Sequence, residues 1–268
     1  MIEQLLLTTA RIATFNGQRS LTAATGFFFA RDERLFFVTS RHVLMDKPSA
    51  HLPDRVEITM HTSGTDLTRV AVQSILLYDE GRSIWLQGRD SGGEIDVAVI
   101  ELDQSALPAG AVLHAFTPES LLPAGNEVQV GAHLLLPGFP LGFYDTVHYL
   151  PVVRQAIIAS AFGVRFQGQG FFLTDARAHR GSSGAPVAMH DPAVEGDMKY
   201  RLLGIHSSRM DMGTRDRAED ESLGLNTAWY ADILMTLTKR QVPGSAAPEP
   251  EGTAAMSEPI PTVNTAAD

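Results

Sequence analysis

The chain is a succession of short apolar runs, each closed by turn-forming residues, and this pattern leaves little room for anything but β-structure. Runs such as LLLTTARIATF (5–15), TGFFFAR (25–31), RLFFVTS (34–40), RVEITMH (55–61), TRVAVQSILLY (68–78) and DVAVIEL (96–102) are rich in β-branched and aromatic residues. HLLLPGF (133–139), VVRQAIIAS (152–160), GFFLTD (170–175), PVAMH (186–190) and RLLGIHSS (201–208) continue the series. Gly, Pro, Asn or Asp punctuates most of the gaps, as in an all-β sandwich or barrel. The polar stretch FTPESLLPAGNE (116–127) splits the runs into two groups, which predicts an N-terminal β-barrel over 1–115, a linker over 116–127 and a second barrel over 128–225.

One segment has helical spacing. In NTAWYADILMTLTKR (226–240), Trp229, Ile233 and Leu237 recur every four residues, and Lys239 and Arg240 suit the negative end of a helix. The spacing predicts a C-terminal helix over 226–240. Residues 241–268 are rich in Pro, Ala and acids without periodicity, which predicts a disordered tail.

A formal charge of −10 argues against a nucleic-acid partner, because phosphate recognition needs a basic surface. No run approaches the roughly 18 apolar residues of a membrane helix. The start of the chain lacks the features of a signal peptide, and the absence of cysteine fits a reducing compartment, so the expected location is cytoplasmic. Without cysteine there are no disulfides, no thiolate nucleophile and no Cys-based metal site; the scattered histidines contain no H-E-x-x-H, so neither metal nor cofactor is expected.

HRGSSGAPV (179–187) offers two adjacent serines. A serine hydroxyl becomes a nucleophile only beside a base, and the base needs a carboxylate to fix its tautomer. His42, in VTSRHVL, directly follows an apolar run; Asp96 stands where a polar loop enters the apolar run DVAVIEL. His, Asp and Ser therefore occur in that order along the chain. An α/β-hydrolase would need the order Ser, acid, His and alternating helices, which this chain lacks.

These blocks resemble those of trypsin-like serine proteases. TSRH (39–42) is similar to their T-x-x-H, DVAV (96–99) to D-[IV]-A-[LV], and GSSGAP (181–186) to G-x-S-G-x-P. LPGFPLG (136–142) and TDARAHRGSSGAPV resemble loops of the cysteine-free bacterial branch that includes the high-temperature-requirement proteases. The resemblance covers roughly residues 5–240. It implies two six-stranded-type antiparallel barrels of the chymotrypsin kind, with Ser183 as nucleophile, His42 as base and Asp96 as its orienter. It implies an oxyanion hole from the backbone N–H groups of Gly181 and Ser183, and a role for Ser207 in supporting Asp96. Ser182 replaces the aspartate that in trypsin pairs with a newly cut N-terminus, so activation by that ion pair is excluded. A PDZ domain after the predicted helix is not expected.

By the same resemblance Arg177, His206, Ser207 and Ser208 fall at the substrate-binding positions, and a cation with an imidazole there would favour Glu or Gln before the scissile bond. His179 is expected at the pocket edge, and the charged loop 214–222 in solvent or beside the cleft. The expected partner is a protein or peptide substrate. The alternative is a latent or non-catalytic peptide-binding module of the same fold, switched on by an unidentified partner.

Overall fold

The computed structural model describes residues 2–123, 125–211 and 222–240. After a one-turn helix α1 (Gln4–Leu7), the first half contains β1 (Thr9–Asn16), β2 (Arg19–Arg31), β3 (Arg34–Thr39), the one-turn helix α2 (Arg41–Leu44), β4 (Arg55–His61) and β5 (Val70–Leu76). A small hairpin, β6 (Tyr78–Asp79) and β7 (Arg82–Ser83), leads into β8 (Trp85–Asp90) and β9 (Gly93–Leu102). Seven of these strands form one antiparallel sheet in the order β5-β4-β1-β2-β3-β9-β8.

The second half is a closed barrel of six strands, β10 (His133–Gly138), β11 (Val152–Ile158), β12 (Phe171–Ala176), β13 (Pro186–His190), β14 (Tyr200–Arg209) and β15 (Leu225–Tyr230). The chain is therefore all-β and chymotrypsin-like, with one closed barrel and one barrel-like sheet. Both halves belong to one compact unit, Met1–Thr238.

Alternation along β2 explains how the halves join. Successive side chains of a strand point to opposite faces, so Phe28 enters the core of the first sheet with Phe37 and Ile58, while Phe27 and Phe29 face the seam. There they pack in one cluster with Val97 and Val99 of β9 and with Leu173, Leu202, Ile205 and Trp229 of the barrel. Burying each such side chain contributes about 1.5–3 kcal/mol. This seam brings the end of β3 and the start of β9 beside β13 and β14.

The C-terminal helix is shorter than the sequence spacing predicts. Residues 226–230 are not helical: β15 pairs Asn226–Trp229 with Phe171–Thr174 and closes the barrel against β14. The six-strand barrel needs this last strand, and Asn226 to Trp229 are buried on both sides, so sheet pairing overrides the every-fourth-residue spacing. Helix α3 covers only Ile233–Leu237, where Leu234 and Leu237 are buried in the seam. The strands β7 and β8 have no counterpart in the sequence reading. The expected tail at 241–268 and most of the loop 214–222 lie outside the described residues.

Candidate active site

β3 ends in Thr39 and Ser40, both fully buried, and α2 begins immediately after them. Thr39 Oγ1 donates to the Thr25 carbonyl at 2.8 Å and Ser40 Oγ to the His206 carbonyl at 3.1 Å. Buried Val43 and Leu44 anchor the other face of this turn, so His42 is left facing the seam.

Asp96 lies on β9, two residues before the Ala98 that pairs with Thr39. Its carboxylate accepts the His42 backbone N–H at 2.8 Å, His42 Nδ1 at 2.7 Å and the Ser207 hydroxyl at 2.5 Å. A carboxylate only accepts, so His42 carries its proton on Nδ1 and turns Nε2 away from Asp96. Burial alone would raise Asp96, but the hydrogen bond and charge of His42, together with Ser207, hold it below the usual carboxylate range. Burial likewise opposes the charged form of His42, yet the hydrogen bond and charge of Asp96, aided by Asp46, raise it above the ordinary histidine value.

Ser183 stands on the loop between β12 and β13, across one cleft from His42. That cleft, about 430 Å³, is lined by both residues and by Asp46, Arg180 and Gly181. The Ser183 hydroxyl donates to the Ser207 carbonyl at 3.1 Å. The loop is held from several sides: Thr25 N–H donates to the Ser183 carbonyl at 3.1 Å, Thr25 Oγ1 to the Gly181 carbonyl at 2.7 Å, and Gly184 N–H to the His206 carbonyl at 2.8 Å. Gly184 has φ +86°, and a Cβ there would collide with the Thr25 carbonyl and Thr39 Oγ1.

Leu141 N–H donates to the Arg180 carbonyl at 2.5 Å. A trans peptide directs its N–H opposite to its carbonyl, so the N–H of Gly181 points away from Leu141. Among the described residues, the N–H groups of Gly181 and Ser183 donate to no protein acceptor, whereas those of Ser182, Gly184 and Ala185 are all engaged. Gly181 has φ +91°, and a Cβ would lie 2.5 Å from the Phe139 carbonyl, so glycine alone fits.

Beside this loop lies a cavity of about 640 Å³ whose walls include Arg177, His179, Arg209, Asp211, Ser222 and Asn226, two cations against one carboxylate. Arg177 and Arg209 are both exposed into solvent. His206 takes a different place: it is 2 % exposed, and its Nδ1 is buried without a partner among the described residues. Burial, with the charge of nearby His42, pushes its pKa down to about 4. Ser208 is exposed and its hydroxyl lies 3.2 Å from Thr227 Oγ1.

The structure thus brings His42, Asp96, Ser183, Gly181 and Ser207 together and puts Arg177 on the neighbouring cavity. Sequence reasoning missed Arg209, which lies past an irregularity in the β14–β15 pairing that strand alternation does not reveal, and Asp46, whose position beyond α2 no strand pattern reveals. Among the described residues, no group of His, Asp and Glu side chains is arranged to hold a metal ion.

The profile of the trypsin-like peptidase domain family matches residues 24–194, and the chain belongs to that family. Its fold is similar to the serine endoprotease from Yersinia pestis, at 16 % identity and a TM-score of 0.50 over 87 % of this chain and 62 % of that one. The chain therefore spans less than two thirds of that relative. The Rv3671c protease from M. tuberculosis in its active form is similar at 15 % identity and a TM-score of 0.47, over 87 % of this chain and 80 % of that one. No curated protein matches the sequence. Among the described residues no helix is long and apolar enough to cross a membrane.

Proposed function

We propose that the chain is a serine endopeptidase in which Ser183 attacks the peptide carbonyl, His42 accepts and returns the proton, and Asp96 orients His42. The single observation that carries this reading is the three-donor grip on Asp96, which fixes His42 with Nε2 available to the cleft it shares with Ser183. As the hydroxyl adds to the carbonyl, the proton passes to His42 Nε2 and the carbonyl oxygen gains negative charge. The unengaged N–H groups of Gly181 and Ser183 are the donors for that charge, and preorganised donors of this kind lower the barrier because they need no rearrangement. Collapse expels the amine, which takes the proton from His42, and water then hydrolyses the acyl-enzyme by the same steps.

The cavity bearing Arg177 and Arg209 receives the side chain before the scissile bond and favours Glu or Gln there. His206, buried behind the nucleophile loop, does not line this cavity, so the preference rests on the two arginines. The proposed cytoplasmic location is checked by cell fractionation.

A resting enzyme that waits for its substrate or a partner is the second reading, and the Ser183 hydroxyl favours it by donating to Ser207 instead of His42. The test is intact-mass analysis of the purified protein and its Ser183→Ala variant after exposure to a fluorophosphonate. A single adduct on the native chain, absent from the variant, is expected. No adduct on either overturns the endopeptidase reading for the free protein and favours the latent one.

A further inference from the structure

On the far side of His179 from the arginine cavity lies a second depression, about 460 Å³, with a different chemistry. Pro140, Leu141, Phe143, Val152 and Val153 form most of its wall, and Arg154 and His179 its polar rim. Leu141 and Phe143 are each 70 % exposed, the most exposed large apolar side chains among the described residues. Soluble proteins rarely gather such side chains in one place without an occupant.

Leu141 is also held in a left-handed conformation, φ +54°, that a branched side chain seldom adopts. Its N–H meanwhile holds the Arg180 carbonyl. Strain of this kind persists where surrounding structure imposes it, and here it turns the leucine side chain outward beside the loop that carries Ser183. The groove continues the cleft: His179 borders both the groove and the arginine cavity, and Arg180, one residue on, lines the cleft of His42 and Ser183.

We propose that this groove binds the part of a peptide substrate that follows the scissile bond, and that it selects an apolar side chain there. The direction rests on the reading of Ser183 as nucleophile. With the preceding side chain in the arginine cavity and the scissile carbonyl at Ser183, the departing half of the peptide leaves across Gly181 toward Leu141. The substrate class is then an acidic or amide residue, the cut, and an apolar residue within the next few positions. Arg154 and His179 at the rim meet the peptide's polar backbone.

The test measures fluorescence anisotropy of labelled peptides on the Ser183→Ala protein, which binds without cutting. The peptides share Glu before the scissile bond and carry Leu, Phe, Ser or Asp at one of the four following positions. Leu or Phe at one of those positions is expected to bind at least fivefold more tightly than Ser or Asp. Adding Phe143→Asp, or separately Val153→Asp, is expected to abolish that discrimination; both residues are exposed, so the two variants should fold. Equal binding of all peptides, or discrimination that survives both substitutions, overturns the proposal. Fluorophosphonate labelling of the native chain reports separately: labelling without discrimination rejects the groove alone, and discrimination without labelling rejects the endopeptidase reading while leaving a peptide-binding groove.

Discussion

Ser207 touches both ends of the proposed triad: its carbonyl accepts the Ser183 hydroxyl at 3.1 Å, and its own hydroxyl donates to Asp96. The first contact occupies the nucleophile and the second steadies the residue that orients the base. One residue of β14 therefore links the resting position of Ser183 to the charge on Asp96.

Ser207→Ala removes only the second contact, because the carbonyl belongs to the backbone. Hydrogen bonds to charged groups contribute about 1.5–3 kcal/mol, and part of that is recovered by water at the partly open site. The expected result is a fall in kcat of roughly tenfold, with KM little changed, because Asp96 acts on His42 and not on bound peptide. Steady-state kinetics on a cleaved peptide checks this split; a change confined to KM would remove Ser207 from the orienting role.

Activity and stability should respond to pH in opposite senses. His42 is raised in the folded chain, so its contribution to stability is full below its unfolded value, about 6.5, and is lost as pH rises through its folded value. Asp96 is lowered, so its contribution is present above its unfolded value, about 3.9, and is lost as pH falls through its folded value. Catalysis needs neutral His42, so kcat/KM should climb through a pKa above 6.5 while the stability from His42 declines. Asp96→Asn should move that limb to lower pH and reduce the plateau severely, through loss of the charge that raises His42 and of the acceptor that fixes its tautomer. A pH–rate profile of both proteins checks the direction.

Two residues of this candidate site, His42 and Asp96, were legible because they sit at or beside strand ends, where periodicity and turn chemistry leave a signal. His42 follows the apolar run of β3, Asp96 enters that of β9, and the glycines around Ser183 mark a tight loop. The last barrel strand was not legible: β15 has helix-compatible spacing, and only its pairing with β12 and β14, distant in sequence, makes it a strand. His206 was expected among the pocket residues from its neighbours in sequence; its ring is buried, as are Ile205 and Ser207 on either side, a stretch without the in-out alternation a sequence reading relies on. Arg209 escaped notice because an arginine near the end of a strand looks like any solvated charge until the barrel curves it toward Arg177.

The loop around Ser183 should tolerate no side chain at Gly184. A left-handed backbone alone costs an alanine about 1–2 kcal/mol, and its Cβ would also collide with Thr25 and Thr39, both part of the buried frame behind the nucleophile. Gly184→Ala is expected to lower Tm by several degrees and to abolish fluorophosphonate labelling. Gly17→Ala is the control: its φ is +56° but its Cβ would meet nothing within 4 Å. It should show the backbone cost alone and label normally. Thermal melts and intact mass on the pair separate collision from conformation.

Arg177 and Arg209 present two cations to one cavity from different elements, the loop after β12 and the end of β14. Two guanidinium groups that converge on a carboxylate give a stronger preference than either alone, because each is exposed and individually weakened by solvent. Arg177→Ala and Arg209→Ala should each reduce kcat/KM for a peptide with Glu before the cut by roughly tenfold, about 1.4 kcal/mol, and the double variant by more. The same variants should gain relative activity on peptides with Leu at that position, since the emptied cavity keeps Ala176, Ala178 and Leu225 in its wall. Cleavage-site profiling with a peptide library reads both changes at once. A preference for Glu unaltered in the double variant would place acidic recognition elsewhere, with Arg180 on the cleft of Ser183 the next cation to test.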